Sequence, residues 1–229
     1  MTAEAAPSPP LAESVAGVEW RVSPGLTDYA AAVAEMEARV AAIRDAGAPE
    51  LVWLLEHPPV ITAGTSAPAD ELLAPERFPV FRSGRGGRHT YHGPGQRVGY
   101  LMLDLDRRGR DIRCYVTKLE RWLIAALVRL GVAGRPEEGR IGIWVDDPRR
   151  GEAKIGAIGV RVRRWVTLHG FSLNVAPDLS HFGAIVPCGI ADYAVTSLAE
   201  LDVNATMESV DQALRTEFPA FLQSLSQVR

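Results

Sequence analysis

Residues 111–130 constrain the fold more than any other stretch. Ile112, Tyr115, Val116, Leu119, Trp122, Leu123, Ala126, Leu127 and Leu130 recur at helical spacing and make one wide apolar stripe. Gly131 closes the helix, and Cys114 points roughly opposite the stripe. A helix this amphipathic has to lie against a large apolar surface. The segments after it supply one, because Arg140–Val145, Ala153–Val162 and Trp165–Val175 read as strands. Asp146-Asp147-Pro148 marks a turn between the first two, and Arg163-Arg164 a hairpin turn between the last two. No helix interrupts these strands, so the chain reads as α+β and not as a doubly wound sheet.

The remaining elements follow the same reading. Tyr29, Val33, Met36, Val40 and Ile43 trace one face of a helix from Thr27 to Ala46, which Gly47 and Pro49 end. Leu51–Glu56, Val60–Gly64, Pro79–Arg82 and Arg97–Leu105 are strand candidates. A last helix spans Met207–Leu225, with Pro219 expected to kink or split it.

Composition excludes several classes. A chain of 229 residues buries roughly 70% of its unfolded surface and folds without metals or disulfides. Its two cysteines, Cys114 and Cys188, fit neither a disulfide scaffold nor a zinc spacing. Charges nearly cancel at −3, which argues against nucleic-acid binding by bulk positive charge. The run Trp122–Val128 is bounded by Arg121 and Arg129, far short of the ~18 residues a membrane span needs. Residues 1–16 hold Pro7, Pro9 and Pro10 and no basic residue, the pattern of a disordered acidic tail and not of a secretory leader. The expectation is one domain over 17–229, cytoplasmic, with reduced thiols.

Three segments break the rules for ordinary core and loop. Ser83–Gln96 packs five glycines, two histidines, two arginines and a tyrosine into fourteen residues. Glycines let a backbone approach a ligand, whereas a merely flexible loop rarely interleaves Tyr and His with them. The spacing is neither a dinucleotide fingerprint nor a P-loop. His89 and His92 have no third ligand nearby in sequence, so no metal is expected. Lys154-Ile155-Gly156-Ala157-Ile158-Gly159, followed by His169-Gly170-Phe171-Ser172, puts glycines on neighbouring strands, which suggests a slot for an extended apolar ligand. On its own Lys154 reads as an ordinary surface lysine. Pro187-Cys188-Gly189 pins a cysteine in a tight turn, although a lone cysteine is usually a small buried hydrophobe.

Together these segments resemble one family. Arg85-Gly86-Gly87-Arg88-His89-Thr90-Tyr91-His92-Gly93-Pro94-Gly95-Gln96 closely resembles the R-G-G-x-x-T-Y-H-G-P-G-Q motif of lipoyl(octanoyl) transferases. Lys154–Gly159, His169-Gly170-Phe171, Pro187-Cys188-Gly189-Ile190 with Val195–Leu198, and Glu56–Val60 with Thr62-Ala63-Gly64 are similar to further segments of that family. The likeness runs in order over about residues 18 to 200.

The resemblance implies a mixed sheet flanked by helices, similar to the biotin and lipoate ligase catalytic domain. It implies a single catalytic domain that moves an octanoyl group from acyl carrier protein to a lysine of lipoyl domains. The acceptors would be 2-oxoacid dehydrogenases and the glycine cleavage H protein, and the step the first of endogenous lipoate synthesis. By motif, Cys188 is the acyl-thioester nucleophile and Lys154 lowers its pKa. Arg85, Gly86, Gly87, Arg88, His89, Thr90, Tyr91, His92, Ala157, Ile158, Gly159, Gly170, Phe171 and Ser172 line the acyl site. No cofactor, no nucleic acid and no membrane is implied, and a monomer is expected. Ser172 stands where the family usually has alanine.

The chemistry is consistent with this. A thiol of pKa ~8.5 is only a few per cent thiolate at pH 7, and a lysine ammonium beside it favours the charged form. Thioester-for-thioester exchange is near thermoneutral and needs no ATP. The rival readings are an ATP-dependent lipoate or biotin ligase, a cysteine hydrolase using Cys188 with His92 or His169, and a non-catalytic acyl-binding module. The arginine clusters Arg107-Arg108, Arg149-Arg150 and Arg161-Arg163-Arg164 are candidate docking points for an acidic carrier, or simply solvated surface charge.

Overall fold

A computed structural model describes residues 13–186 and 193–226. In chain order these form β1 (Glu13–Val15), β2 (Val18–Leu26), α1 (Tyr29–Ala46), β3 (Leu51–Glu56), β4 (Val60–Ala63), β5 (Val80–Arg82) and β6 (His89–His92). There follow β7 (Gln96–Met102), α2 (Ile112–Arg129), β8 (Arg135–Glu137), β9 (Arg140–Asp147) and β10 (Gly151–Arg163). The chain ends with β11 (Val166–Asn174), β12 (Ala194–Val195) and α3 (Met207–Leu225).

Nine strands make one mixed sheet in the order β1-β2-β3-β7-β11-β10-β9-β8, with β12 beside β10. β2 runs parallel to β3, and β12 parallel to β10. The other pairings are antiparallel. A second sheet, β5-β4-β6, stands apart. The architecture is therefore α+β, as the pattern of elements predicts, and the mixed sheet with flanking helices that the resemblance implied.

Both faces of the central strands are covered, which is why they read as continuous apolar runs. On β3, Val52 and Leu54 point into the core under α2 and α3, while Leu51, Trp53 and Leu55 point into the core under α1. The first core is aromatic. Trp122 stacks on Phe221 with ring centroids 5.0 Å apart and meets Phe171 edge-on at 5.5 Å. Its indole N–H donates to the Leu214 carbonyl at 2.9 Å, so the α2 stripe is locked to α3 as well as to the sheet. On the opposite face α1 covers only part of the sheet, through Ala32, Met36 and Val40. The Asp28 carboxylate caps this helix by accepting the Ala31 N–H, and Gly47 ends it in a left-handed conformation.

Several expectations needed correction. Pro219 lies inside an unbroken α3. The helix survives the lost hydrogen bond because Phe218, Phe221 and Leu225 bury themselves around it. Ile112 belongs to the first turn of α2 but is 41% exposed, so the apolar stripe begins at Tyr115. β9 runs on through Asp147, whose carboxylate accepts the Arg149 and Arg150 N–H groups and so moves the turn two residues later. The β10–β11 turn is centred on Arg164-Trp165, both at positive φ. Residues 13–15, inside the segment expected to be a tail, pair with β2 as β1. β6 emerges from what read as a glycine loop, and β2 was not anticipated at all.

Trp122→Ala is expected to cost about 3–5 kcal/mol, since it removes the ring on which four core aromatics converge. Urea unfolding followed by circular dichroism measures this. A loss under 1 kcal/mol would mean that α2 and α3 are held together by something other than this cluster.

Candidate active site

Where α1 stops covering the sheet, the β4–β6 sheet and its glycine-rich loop face β7, β10 and β11 across a cleft. The cleft holds ≈ 510 Å³ of empty space, its open mouth included. Of the residues expected from sequence, Arg85, Gly87, Arg88, His89, Thr90, His92, Ala157, Ile158, Gly159, Gly170, Phe171 and Ser172 line it. Gly86 instead ties the loop to β10 through its N–H and the Val160 carbonyl, 2.9 Å. Tyr91 lies on the far face of β6, packed on Phe78 and Phe182, with its hydroxyl 2.7 Å from His181 Nδ1.

Arg85 organises the loop. The residue is 7% exposed, and its guanidinium donates to Thr62 O at 2.8 Å, Thr62 Oγ1 at 2.7 Å, Arg88 O at 3.0 Å and Gly86 O at 3.0 Å. Its fixed fork of donors holds several turns of backbone at once. The stem lies across β10 at Gly159, where a Cβ would come within 2.9 Å of Arg85 Cδ. That close approach explains the glycine.

Lys154 borders a second hollow, which shares Thr90, Ala157 and Ser172 with the cleft and is otherwise walled by residues such as Gly156, Phe182 and Val195. Its strand has β9 on one side and β12 on the other, in register with Trp144 and Val195. The ammonium sits 5.2 Å from the Trp144 ring centroid, a cation–π contact. Gly142, at φ 134°, makes room for it, because a Cβ there would lie 2.3 Å from Lys154 Cε. Lys154 is thus a buried residue at 8% exposure, not a surface one.

Cys188, with Pro187, Gly189 and Ile190, lies outside the described residues. The chain on either side is well tied. The Val186 N–H donates to Glu71 O at 2.8 Å, and the Thr196 N–H to Lys154 O at 3.0 Å.

Four further residues line the cleft, of which Tyr29, Val98 and Tyr100 carried no clear signal in the sequence, while His169 stood out there only within its His-Gly-Phe segment and as a hydrolase candidate. Tyr29 is simply the first residue of a helix, and Val98 and Tyr100 read as strand core. His169 follows Leu168 at φ 60°, a left-handed conformation that costs a β-strand residue about 1–3 kcal/mol.

The histidines here are neutral. Burial pushes His92 down to about 3 and His169 down to about 4, and it lowers His57 and His89 as well. Their tautomers follow from their partners. His57 Nδ1 lies 2.6 Å from the Thr27 carbonyl and so donates, which leaves Nε2 to accept the Tyr100 hydroxyl at 2.7 Å. Gln96 Nε2 donates to Asn174 Oδ1 at 2.9 Å, so its Oε1 accepts from His92 Nδ1 at 2.6 Å. Asn174 Nδ2 donates onward to Thr196 O at 2.9 Å, and the Thr196 hydroxyl donates to Asp147 at 2.5 Å. One buried chain therefore runs from the cleft to the strand beside Lys154. His89 Nδ1 and His169 Nδ1 are buried with no hydrogen-bond partner among the described residues.

Among the described residues, no three His, Cys, Asp or Glu side chains converge to hold a metal, and no helix is long and apolar enough to cross a membrane. The arginine clusters are largely engaged. Arg108 pairs with Glu50, Arg149 with Asp202, Arg150 with Glu200, Arg161 with Glu37 and Arg164 with Asp45.

The chain is similar to proteins already known. Residues 28–219 match the lipoyl protein ligase A/B catalytic domain. The octanoyltransferase of Rhizorhabdus wittichii is 69% identical, covering 91% of this chain and 93% of that protein. The octanoyltransferase of Sphingopyxis alaskensis is 68% identical, covering 90% and 95%. Among solved structures, a bi-partite lipoate protein ligase from Thermoplasma acidophilum superposes with a TM-score of 0.68 at 18% identity, over 89% of this chain and 83% of that one. Biotin protein ligase from Aquifex aeolicus, in complex with biotin and ATP, gives 0.54 at 11% identity over 93% and 72%. At these identities the two structures speak to the fold alone.

The neutral histidines make stability pH-dependent. Each has a folded-state pKa below its unfolded value of ~6.5, so below that pH the unfolded chain binds more protons. Stability is expected to fall as pH drops through 6.5 toward 4 and 3, by about 2 kcal/mol per strongly lowered histidine at pH 5. His92→Gln is expected to flatten that acid limb. Urea midpoints at pH 5, 6 and 7.5 test it, and identical slopes in the two proteins would show that His92 is not held neutral.

Proposed function

The chain belongs to the octanoyltransferase family, within the lipoyl protein ligase A/B catalytic domains, and from that membership we propose a specific reaction for it. It takes an octanoyl group from the thioester of an acyl carrier protein and delivers it to a lysine of a lipoyl domain, in 2-oxoacid dehydrogenases and the glycine cleavage H protein. The observation that carries this reading is the continuity of the cleft with the hollow at Lys154 through Thr90, Ala157 and Ser172.

Cys188 is the nucleophile in this reading. Phe182 and Val195, on either side of the segment that carries it, both line the Lys154 hollow. The cysteine thiolate attacks the carrier thioester carbonyl, and the carrier thiolate leaves. The acceptor lysine, as the free amine, then attacks acyl-Cys188. The Cys188 thiolate leaves, an amide forms, and the proton the amine loses passes to the departing sulfur or to water. Lys154 positions a positive charge beside the thiol in a poorly solvated hollow, where that charge acts strongly. Arg85 to His92, Ala157 to Gly159 and Gly170 to Ser172 hold the acyl chain, Tyr91 acting from behind β6. The enzyme works as a monomer in the cytoplasm, without metal or nucleotide.

Intact-protein mass spectrometry after incubation with octanoyl-acyl carrier protein tests the route. Wild type should carry a hydroxylamine-sensitive octanoyl adduct and Cys188→Ser none. Acylation of a lipoyl domain only when ATP is added would overturn the thioester route in favour of adenylation. If Lys154 lowers the thiol pKa by two units, Lys154→Gln should cut adduct formation at pH 7 about 25-fold. The deficit should shrink as pH approaches 9. A pH-independent deficit would assign Lys154 a purely structural role.

A further inference from the structure

The acyl cleft does not end at a solid floor. Beyond it, between α1 and the start of β11, lies another cavity with ≈ 440 Å³ of empty space, its open mouth included. Val33, Met36 and Leu168 form its apolar lining, and the Arg161–Glu37 ion pair sits on its rim. Two side chains, Tyr29 and His169, line both spaces. Each is 4% exposed. Ser83 Oγ lies 3.4 Å from His169 Nε2 on the far side. His169 thus stands between the two spaces in its strained left-handed conformation.

We propose that Tyr29 and His169 form the wall that sets acyl chain length, and that the cavity behind them is the space a longer chain would occupy. The inference rests on the acyl-transfer reading above. Chain and wall match in length. From Ala157↔Ser172, where the cleft meets the Lys154 hollow, to Val160↔His169 is three residue pairs, about 10 Å at ~3.3 Å per residue. A saturated eight-carbon acyl chain reaches about 9 Å at C–C bonds of ~1.5 Å. Twelve carbons need about 5 Å more, on the same bond length, which carries the methyl end past His169 to the level of Leu168.

His169→Gly tests the wall. Glycine accepts the positive φ without strain, so the side chain is removed while the backbone keeps its path. Transfer from octanoyl- and dodecanoyl-acyl carrier protein to a lipoyl domain is followed by mass spectrometry. The dodecanoyl-to-octanoyl rate ratio should rise at least tenfold in His169→Gly. Adding Val33→Trp, which fills the rear cavity only, should return the ratio toward that of wild type. An unchanged ratio in folded His169→Gly would overturn the proposal. Should that variant not fold, the wild-type profile over hexanoyl to tetradecanoyl donors decides. A sharp fall beyond about ten carbons supports a wall at this depth, and a gradual decline overturns it. Absence of octanoyl transfer by wild type is a separate outcome, which overturns the reaction itself and the wall with it.

Discussion

The pairing of β10 with β11 is the constraint on which the rest depends. It sets Ala157 against Ser172, Ile158 against Phe171, and Gly159 against Gly170. One face of this ladder sends Phe171 into the Trp122 cluster and so anchors the sheet to α2 and α3. The other face is the cleft floor. A one-residue slip would exchange the two faces, placing cleft residues in the core and core residues in the cleft. Core packing therefore enforces the geometry of the site, and a ligand slot built from small residues can persist without collapsing.

Much of this was legible in the sequence, for identifiable physical reasons. β3, α2 and α3 are strongly periodic or continuously apolar, and their ends carry clear punctuation, so their bounds fell close to those observed. The cleft lining was legible because most of its residues cluster in three short stretches that contain glycine. What stayed hidden depends on tertiary placement. Nothing local distinguishes Tyr29 from any helix-opening aromatic, or Lys154 from any solvated lysine. Lys154 becomes special only because Gly142 and Trp144 on the neighbouring strand surround it. Pro219 misled for the complementary reason. Its local penalty of about 3 kcal/mol is outweighed by the aromatic burial on both sides of it.

The polar interior of the site serves rigidity more than proton transfer. A histidine whose pKa burial has pushed to about 3, as for His92, is a poor proton acceptor at neutral pH but a dependable fixed dipole. Its Nδ1–H is committed to Gln96, and through Asn174 the order passes to the Thr196 carbonyl. Thr196 is also tied to the Lys154 carbonyl and the Asp147 carboxylate. Each donor in this chain has one acceptor that suits it, so the tautomers and amide orientations are mutually determined. Breaking one link would leave a buried polar group unpaired, costing about 1–3 kcal/mol. The short β12, only two residues long, could not hold its register by ladder bonds alone. The buried side-chain chain supplies what the ladder lacks, and it keeps the strand that follows the Cys188 segment beside Lys154.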